Sequence, residues 1–509
     1  MTPLLDLDSG WGLLRAALPE TVLSAWAMLL LLDAAWHHKA PGAQRRAGVL
    51  ALAGIVLAIA ATVWLWASGV RVAGIATSLA LDPFRFAVDL IVLLAAGLAV
   101  LLSMDYLDRE GIAVPEYHVL VLFAAVGMML LAGGEDLFVI FLGLELMSVS
   151  VYVLSGIDRR SKVGGEAALK YFLLGAFASA FFLYGIALIY GAAGSTRLPM
   201  IAAQILPLGL AHHPMLLAGL ALLLIGFGFK VAAVPFHMWT PDVYDGAPTP
   251  VTAFMSTAVK AAAFAALLRV LLEGFGSLHV IWEQVVWWLA AITMVVGNLV
   301  ALAQRSVKRM LAYSSIAHAG YLLTAVVAGS TAGAAAFLFY LLFYTLMTVG
   351  AFAILALKGR GGERDVLIDD LSGLAETHPW VALGMTVCML SLLGFPGTAG
   401  FIGKWYILVS ATGGGYTVLA AILVLTSVVS AGYYLPVVMA MYMKPSSHEQ
   451  SHAGVLVPRL TRVTLAAMVV ALVLFGLWPN QALKAARSGS HAFLPANVTT
   501  ITAPTPVAN

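Results

Sequence analysis

A chain of 509 residues in which 61% of the side chains are hydrophobic and 10% charged has too little solvated charge to cover a soluble surface, and its place is in lipid. A net charge of +2 gives no general attraction to nucleic acid, and no nucleic-acid partner is expected. The single cysteine, Cys388, excludes disulfides and cysteine-ligated iron–sulfur or zinc sites within the chain, so any redox centre belongs to another subunit.

In chain order, fourteen apolar runs begin near Leu18, Val49, Phe84, Tyr117, Leu137, Glu166, Met215, Ala247, Val280, Arg309, Gly333, Trp380, Tyr416 and Leu465. Each reaches the roughly 17–25 residues that cross ~30 Å of hydrocarbon as a helix. Asp6 and Asp8 precede the first run without a basic region or a small-residue cleavage site, which marks that run as a retained span. An even number of spans puts both termini on one side. With the termini outside, sixteen of the 27 lysines and arginines fall in inside loops, Lys39, Arg160, Arg309 and Arg364 among them, and seven fall outside, Arg85 and Arg269 among them. That imbalance favours outward termini under the positive-inside rule. The remaining four, Lys170, Lys230, Lys260 and Lys404, lie within the runs.

The longest polar loop, from Lys358 to His378, mixes both signs of charge, and no soluble domain is visible. Two runs are interrupted. Pro235, Pro241, Pro248 and Pro250 break the segment from Phe229 to Pro250, and Pro396 stands among Gly394, Gly397, Gly400 and Gly403. Each proline removes a backbone donor, so carbonyls freed at membrane depth must be met by protein or water, and hydrated sites are expected at both breaks.

A lysine at mid-membrane costs on the order of 2.5–3.5 kcal/mol on insertion scales. Lys170, about two turns from an inside loop, either snorkels to the headgroups or serves the interior. Lys230 lies too deep to snorkel, five residues before Pro235. Lys260 sits mid-helix among Ser256, Thr257, Ala258 and Ala261, which leave room for water or a neighbouring helix. Lys404 follows the Pro396 break; its plainer reading is an interfacial anchor beside Trp405. Desolvation favours the neutral amine and a neighbouring carboxylate favours the ammonium, so a buried lysine is a switchable proton site. Glu145, in the middle of the fifth span, is the best-placed acid, the alternative being a protonated, hydrogen-bonded core residue. Asp89 divides evenly between roles, and Asp33 reads as interfacial. His237 and His318 are either proton relays or hydrogen-bonded helix contacts. No phosphate loop, HExxH or GxSxG appears in a fitting context. The mostly cationic buried charges make no metal site, since alkali and alkaline-earth ions want several oxygen ligands, and protons are the better cargo.

Four segments, KVAAVPFHMWTPDVYDGAPTPVTAF (230 to 254), EAALKYFLLGAFASA (166 to 180), NLVALAQRSVKRMLAYSSIAHAGY (298 to 321) and LSLLGFPGTAGFIGKWYI (390 to 407), resemble the subunit N family of the bacterial proton-pumping NADH:quinone oxidoreductase, respiratory complex I. The resemblance runs from about Leu18 to Gly476. PDVYDGAPTPVTAF and a lysine at position 404 are closer to this family than to the related M, L and cation/proton antiporter subunits. The resemblance implies an all-α polytopic protein with helices 1–3 in residues 1–116 and two inverted five-helix repeats. Helices 4–8 would occupy 117–272 and helices 9–13 would occupy 280–443, followed by helix 14 and a tail in 444–509. Helices 7 and 12 would be discontinuous.

By motif matching, Glu145 and Lys230 would be the paired acid and lysine of the first half-channel, Lys260 the connecting lysine and Lys404 the terminal residue of the second. Lys170, His237 and His318 would be auxiliary. Lys230 precedes its break and Lys404 follows its own, so the repeats are not aligned residue by residue. No cofactor is expected in this chain: the family's flavin, iron–sulfur clusters and quinone site lie in partner subunits. Partners would be other membrane-arm subunits, including M, K and J, and the lipid of the bacterial inner membrane. A subunit of a multi-subunit cation/proton antiporter is the alternative, and a passive membrane scaffold the third reading.

Overall fold

The computed structural model describes residues 4–5, 10–37, 40, 42–69, 71–72, 78–112, 114–358, 366–445 and 457–490. Asp6, Asp8, Lys39 and Arg364 lie outside the described residues. The fold is all-helical apart from a parallel pairing of Leu4–Leu5 with Arg71–Val72 and isolated bridges. Among the described residues, thirteen helices are long and apolar enough to cross a membrane. They are α1 (Leu18–His37), α2 (Ala43–Ser68), α3 (Pro83–Glu110), α4 (Glu116–Gly133), α5 (Leu137–Ser155), α6 (Lys162–Ala193), α7 (Pro214–Val231), α8 (Thr249–Gly274), α9 (Gly276–Leu302), α10 (Val307–Val327), α11 (Thr331–Leu357), α13 (Thr417–Met443) and α14 (Arg459–Leu477). The expected run near Trp380 is α12, an apolar helix of fifteen residues, Pro379–Leu393, that stops at Gly394 and resumes as Ala399–Gly413. α7 likewise stops and resumes as Thr240–Gly246. A last amphipathic helix, α15 (Asn480–Ser490), lies against α3 and α11.

Local chemistry sets the helix ends that frame the site. Asp82 caps α3, accepting from the Arg85 N–H at 2.8 Å with Pro83 in the first turn, and Asp136 caps α5 through the Phe138 N–H at 2.7 Å. Side-chain oxygens there satisfy donors that no helical carbonyl can reach. At the α7 break, Ala232 turns left-handed at φ 61° and the Ala233 N–H closes back on the Gly228 carbonyl at 2.8 Å. At the α12 break, Gly394 turns at φ 87° and the Phe395 N–H closes on Leu390 at 2.9 Å. Both first halves thus end in the same reversal.

The most enclosed element is α8, whose most apolar window is entirely buried. It contains π turns at Met255–Val259 and Val270–Gly274, the first ending directly before Lys260. Ser256 and Thr257 donate to the Ala253 carbonyl on their own helix, at 3.1 and 2.7 Å. α4 packs on α5 with Gly127 and Gly143 in the seam, and α9 packs on α10 with Gly297 and Gly320 in theirs; a β-carbon at any of the four would collide with the partner's backbone. We expect Gly127→Leu to exceed the about 1–3 kcal/mol of ordinary overpacking, because Met147 backbone cannot yield. Immunoblots of membranes would show the chain lost, while Gly165→Leu, at a position with nothing within 4 Å, would leave its level unchanged.

Candidate functional site

The three deep lysines are buried as expected: Lys230 on α7, Lys260 on α8 and Lys404 on the second half of α12. Lys230 is the penultimate residue of its half-helix. Its ammonium donates to Ser148 Oγ at 2.7 Å and to the Tyr152 hydroxyl at 3.3 Å, both on α5. It also lies 5.2 to 5.9 Å from the ring centroids of Tyr152, Tyr171 and Phe229, a cation–π surround that compensates part of its desolvation. Half-buried Glu145 precedes Ser148 by one turn and accepts from Ser179 of α6. The expected Glu145–Lys230 pair is open: among the described residues no ion pair joins the two, and a hydroxyl holds each instead.

Lys260 donates to the carbonyl of Ser315 on α10 and to its hydroxyl, the latter at 2.5 Å. The Tyr344 hydroxyl donates to the same Ser315 Oγ at 2.9 Å. His318, one turn further along α10, bonds Tyr340 through Nδ1 and Tyr434 through Nε2, the second at 3.1 Å. Its ring lies 5.2 Å from those of Tyr344 and Tyr321. Tyr321 carries the chain onward, because the Lys404 ammonium stands 4.6 Å over its ring. Lys404 then donates to the Leu393 carbonyl at 3.0 Å and borders an apolar groove of about 470 Å³ lined by Phe395, Phe401 and Trp405.

The bond from Lys404 to Leu393 resolves the asymmetry of the two breaks. Lys404 follows its break in sequence, yet its ammonium reaches back to the last carbonyl of the half-helix before it. Lys230 occupies the last turn of its own first half-helix. Both cations therefore sit at the negative end of an interrupted helix dipole. Protein groups also meet other backbone atoms freed by the first break: the Trp239 indole donates to the Phe229 carbonyl at 3.0 Å, and the Val234 N–H donates to Thr293 at 2.9 Å.

Between Lys230 and Lys260 runs an aromatic file. Tyr152 meets Tyr171 edge-on at 4.7 Å, Tyr171 stacks on Trp239 at 4.4 Å, and Trp239 meets Tyr244 at 5.9 Å. The half-helix that carries Tyr244 packs on α10, which carries Ser315. These residues, with Ser148, Ser179, Tyr340 and Tyr434, went unnoticed in the sequence. Their signal is helical spacing: Ser148 and Tyr152 follow Glu145 by three and seven residues, and His318 and Tyr321 follow Ser314 by four and seven on α10, each set lying along one helix face.

The other candidates lie apart. Lys170 has a side chain 44% exposed, paired with Glu166 at 2.8 Å and Asp242 at 2.9 Å. Arg309 holds Asp242 from the other side at 3.1 Å, pinning the second half of α7 between α6 and α10. His237 lies half-buried in the α7 break, and its Nδ1 makes no hydrogen bond among the described residues. Arg85 and Arg269, counted by sequence in outside segments, are wholly buried: acidic partners at the ends of α3 and α8 draw both inward. Among the described residues no group of three His, Cys, Asp or Glu could hold a metal ion.

A family model described as NADH:quinone oxidoreductase/Mrp antiporter, TM, matches residues 134–430. NADH-quinone oxidoreductase subunit N of Gemmatimonas aurantiaca is 48% identical, over 96% of this chain and 96% of its own. The chain belongs to the NADH-quinone oxidoreductase subunit N family. Subunit N of Trichlorobacter lovleyi is 49% identical over 93% of this chain and 96% of its own. A chain of respiratory complex I from Thermus thermophilus with bound aureothin superposes with a TM-score of 0.79 at 39% identity, covering 92% of this chain and 100% of that one. A chain of the Mrp complex from a Dietzia species gives 0.77 at 22% identity, over 92% of this chain and 97% of that one, which shows a shared fold alone.

Proposed function

We propose that this chain is a proton-translocating membrane-arm subunit of NADH:quinone oxidoreductase, with no electron carrier of its own. The supporting observation is the file of buried proton-bearing groups from Glu145 and Lys230, through Tyr244, Ser315, Lys260 and His318, to Lys404. Flavin, iron–sulfur clusters and quinone would be held by partner subunits, and the membrane-arm subunits M, K and J would be among this chain's partners. The chain would lie in the bacterial inner membrane with both termini on the outer side. α4–α8 and α9–α13 would form two inverted repeats over 117–272 and 280–443. The paired breaks in α7 and α12 and the paired glycine seams support that division.

The open arrangement of Glu145 and Lys230 suggests the working step. Redox chemistry in another subunit would bring the carboxylate and the ammonium together or apart, changing the energy of a charge in a desolvated site. Paired, Lys230 keeps its proton. Separated, it yields the proton toward Lys260 by way of the tyrosine hydroxyls and intervening water. Lys170, His237 and His318 would act as auxiliaries; of these, His318 alone lies in the file.

The decisive substitution is Lys404→Met, which keeps the bulk and removes the charge. In sealed membrane vesicles it should lower the number of protons moved per NADH oxidised while the assembled complex remains at its normal level. Unchanged pumping would favour a scaffold and overturn the proposal.

A further inference from the structure

Two buried arginines at the far end of the bundle take no part in the lysine file. The cluster lies by the turn between α4 and α5, where the Gly133 carbonyl accepts from the Ala80 N–H at 2.8 Å, whereas Lys230 contacts α5 at Ser148 and Tyr152, in its second half. Arg85 Nη2 donates to Glu20 of α1 at 2.6 Å and to the Ala16 carbonyl at 3.1 Å, and Nη1 donates to the Ala80 carbonyl at 2.7 Å. Arg269 Nη1 donates to Asp82 at 2.8 Å and to Glu273 at 2.7 Å. Asp82 joins the halves, accepting from the Arg85 backbone N–H at 2.8 Å and from Arg269 Nη2 at 3.2 Å on one oxygen. One turn beyond Arg85 stands Asp89. It is wholly buried, lies 3.4 Å from Arg85 Nε, and among the described residues neither of its oxygens nor that Nε has a hydrogen-bond partner.

Two guanidiniums thus face four carboxylates, Glu20, Asp82, Asp89 and Glu273, with the half-buried Glu135 beside them. Lys484 and Arg487 of α15, the helix packed on the start of α3, are turned to the exterior. Full ionisation would leave two surplus negative charges where the Glu20 and Asp89 side chains are 4% and 0% exposed. A wholly buried carboxylate whose oxygens meet no hydrogen-bond donor is costly to keep as an anion, and a bound proton removes that cost. The cluster meets its surroundings at Asp82 and Glu273, 19% and 21% exposed.

We propose that Asp89, with Arg85 and Glu20, forms a second proton-binding site in this chain, separate from the lysine file and exchanging with the surface at Asp82 and Glu273. Release of the proton leaves a carboxylate that takes the free Nε–H of Arg85 and competes with Glu20 for the guanidinium. Proton occupancy thereby sets how firmly α1 is held to α3.

The test is infrared difference spectroscopy of the purified complex between two buffer pH values, in water and in deuterium oxide. A deuterium-sensitive carboxylic-acid carbonyl band that titrates in the wild type should vanish in Asp89→Asn and shift in frequency in Asp89→Glu. It should persist in Lys230→Met, which separates this site from the lysine file. A band unaltered by both Asp89 variants would overturn the proposal, as would the absence of any titrating band in the wild type. Asp89→Glu keeps the test decisive if Asp89→Asn fails to assemble.

Discussion

Lys230→Met should slow coupled NADH–quinone turnover on the order of 10²-fold, at the low end of what a positioned proton-transfer group contributes. Methionine reproduces the length and keeps the packing against Tyr152, Tyr171 and Phe229, so the complex should still assemble. What disappears is the ammonium that donates to Ser148 and Tyr152. Glu145→Gln should act in the same direction with a smaller effect, because its Ser179 bond survives in the amide. Proton release in vesicles after a pulse of NADH, set against complex content on native gels, measures both. Normal pumping by both variants would sink the assignment of this pair.

Arg85→Met should cost stability rather than transport. Breaking a buried ion pair from one side typically costs about 3–5 kcal/mol, because it strands the partner charge. Here it would also leave the Ala80 and Ala16 carbonyls without their donors. We expect less assembled complex in membranes and inactivation in detergent at a lower temperature. Adding Glu20→Gln should recover part of the loss by removing the stranded charge. If the single variant is as stable as the wild type, the arginine is not the tie between α1 and α3 that its geometry indicates.

The spans were legible because a helix crossing lipid must be apolar over its full length, and each of the fourteen runs has a counterpart in the fold. Lys230, Lys260 and Lys404 were legible for the same reason, as charges standing where none is cheap. Arg85 and Arg269 were missed by that logic. They lie near the ends of long helices, where composition alone suggests a loop, and acidic partners on their own and on neighbouring helices draw them inside. The tyrosines and serines of the file were missed because hydroxyls barely disturb hydropathy; their helical spacing carries the information. Contact between Lys404 and the end of the preceding half-helix could not be read at all, since it depends on how the chain folds back across the break.

From Lys260 to Arg269, α8 presents only Ala261, Ala262, Ala263, Phe264, Ala265, Ala266, Leu267 and Leu268, every one of them buried. At 1.5 Å per residue this is about 13 Å of apolar helix between two charged regions. If the lysine file carries protons as proposed, such a layer would act as an electrical insulator between it and the arginine cluster, and would keep a resting complex from discharging the gradient.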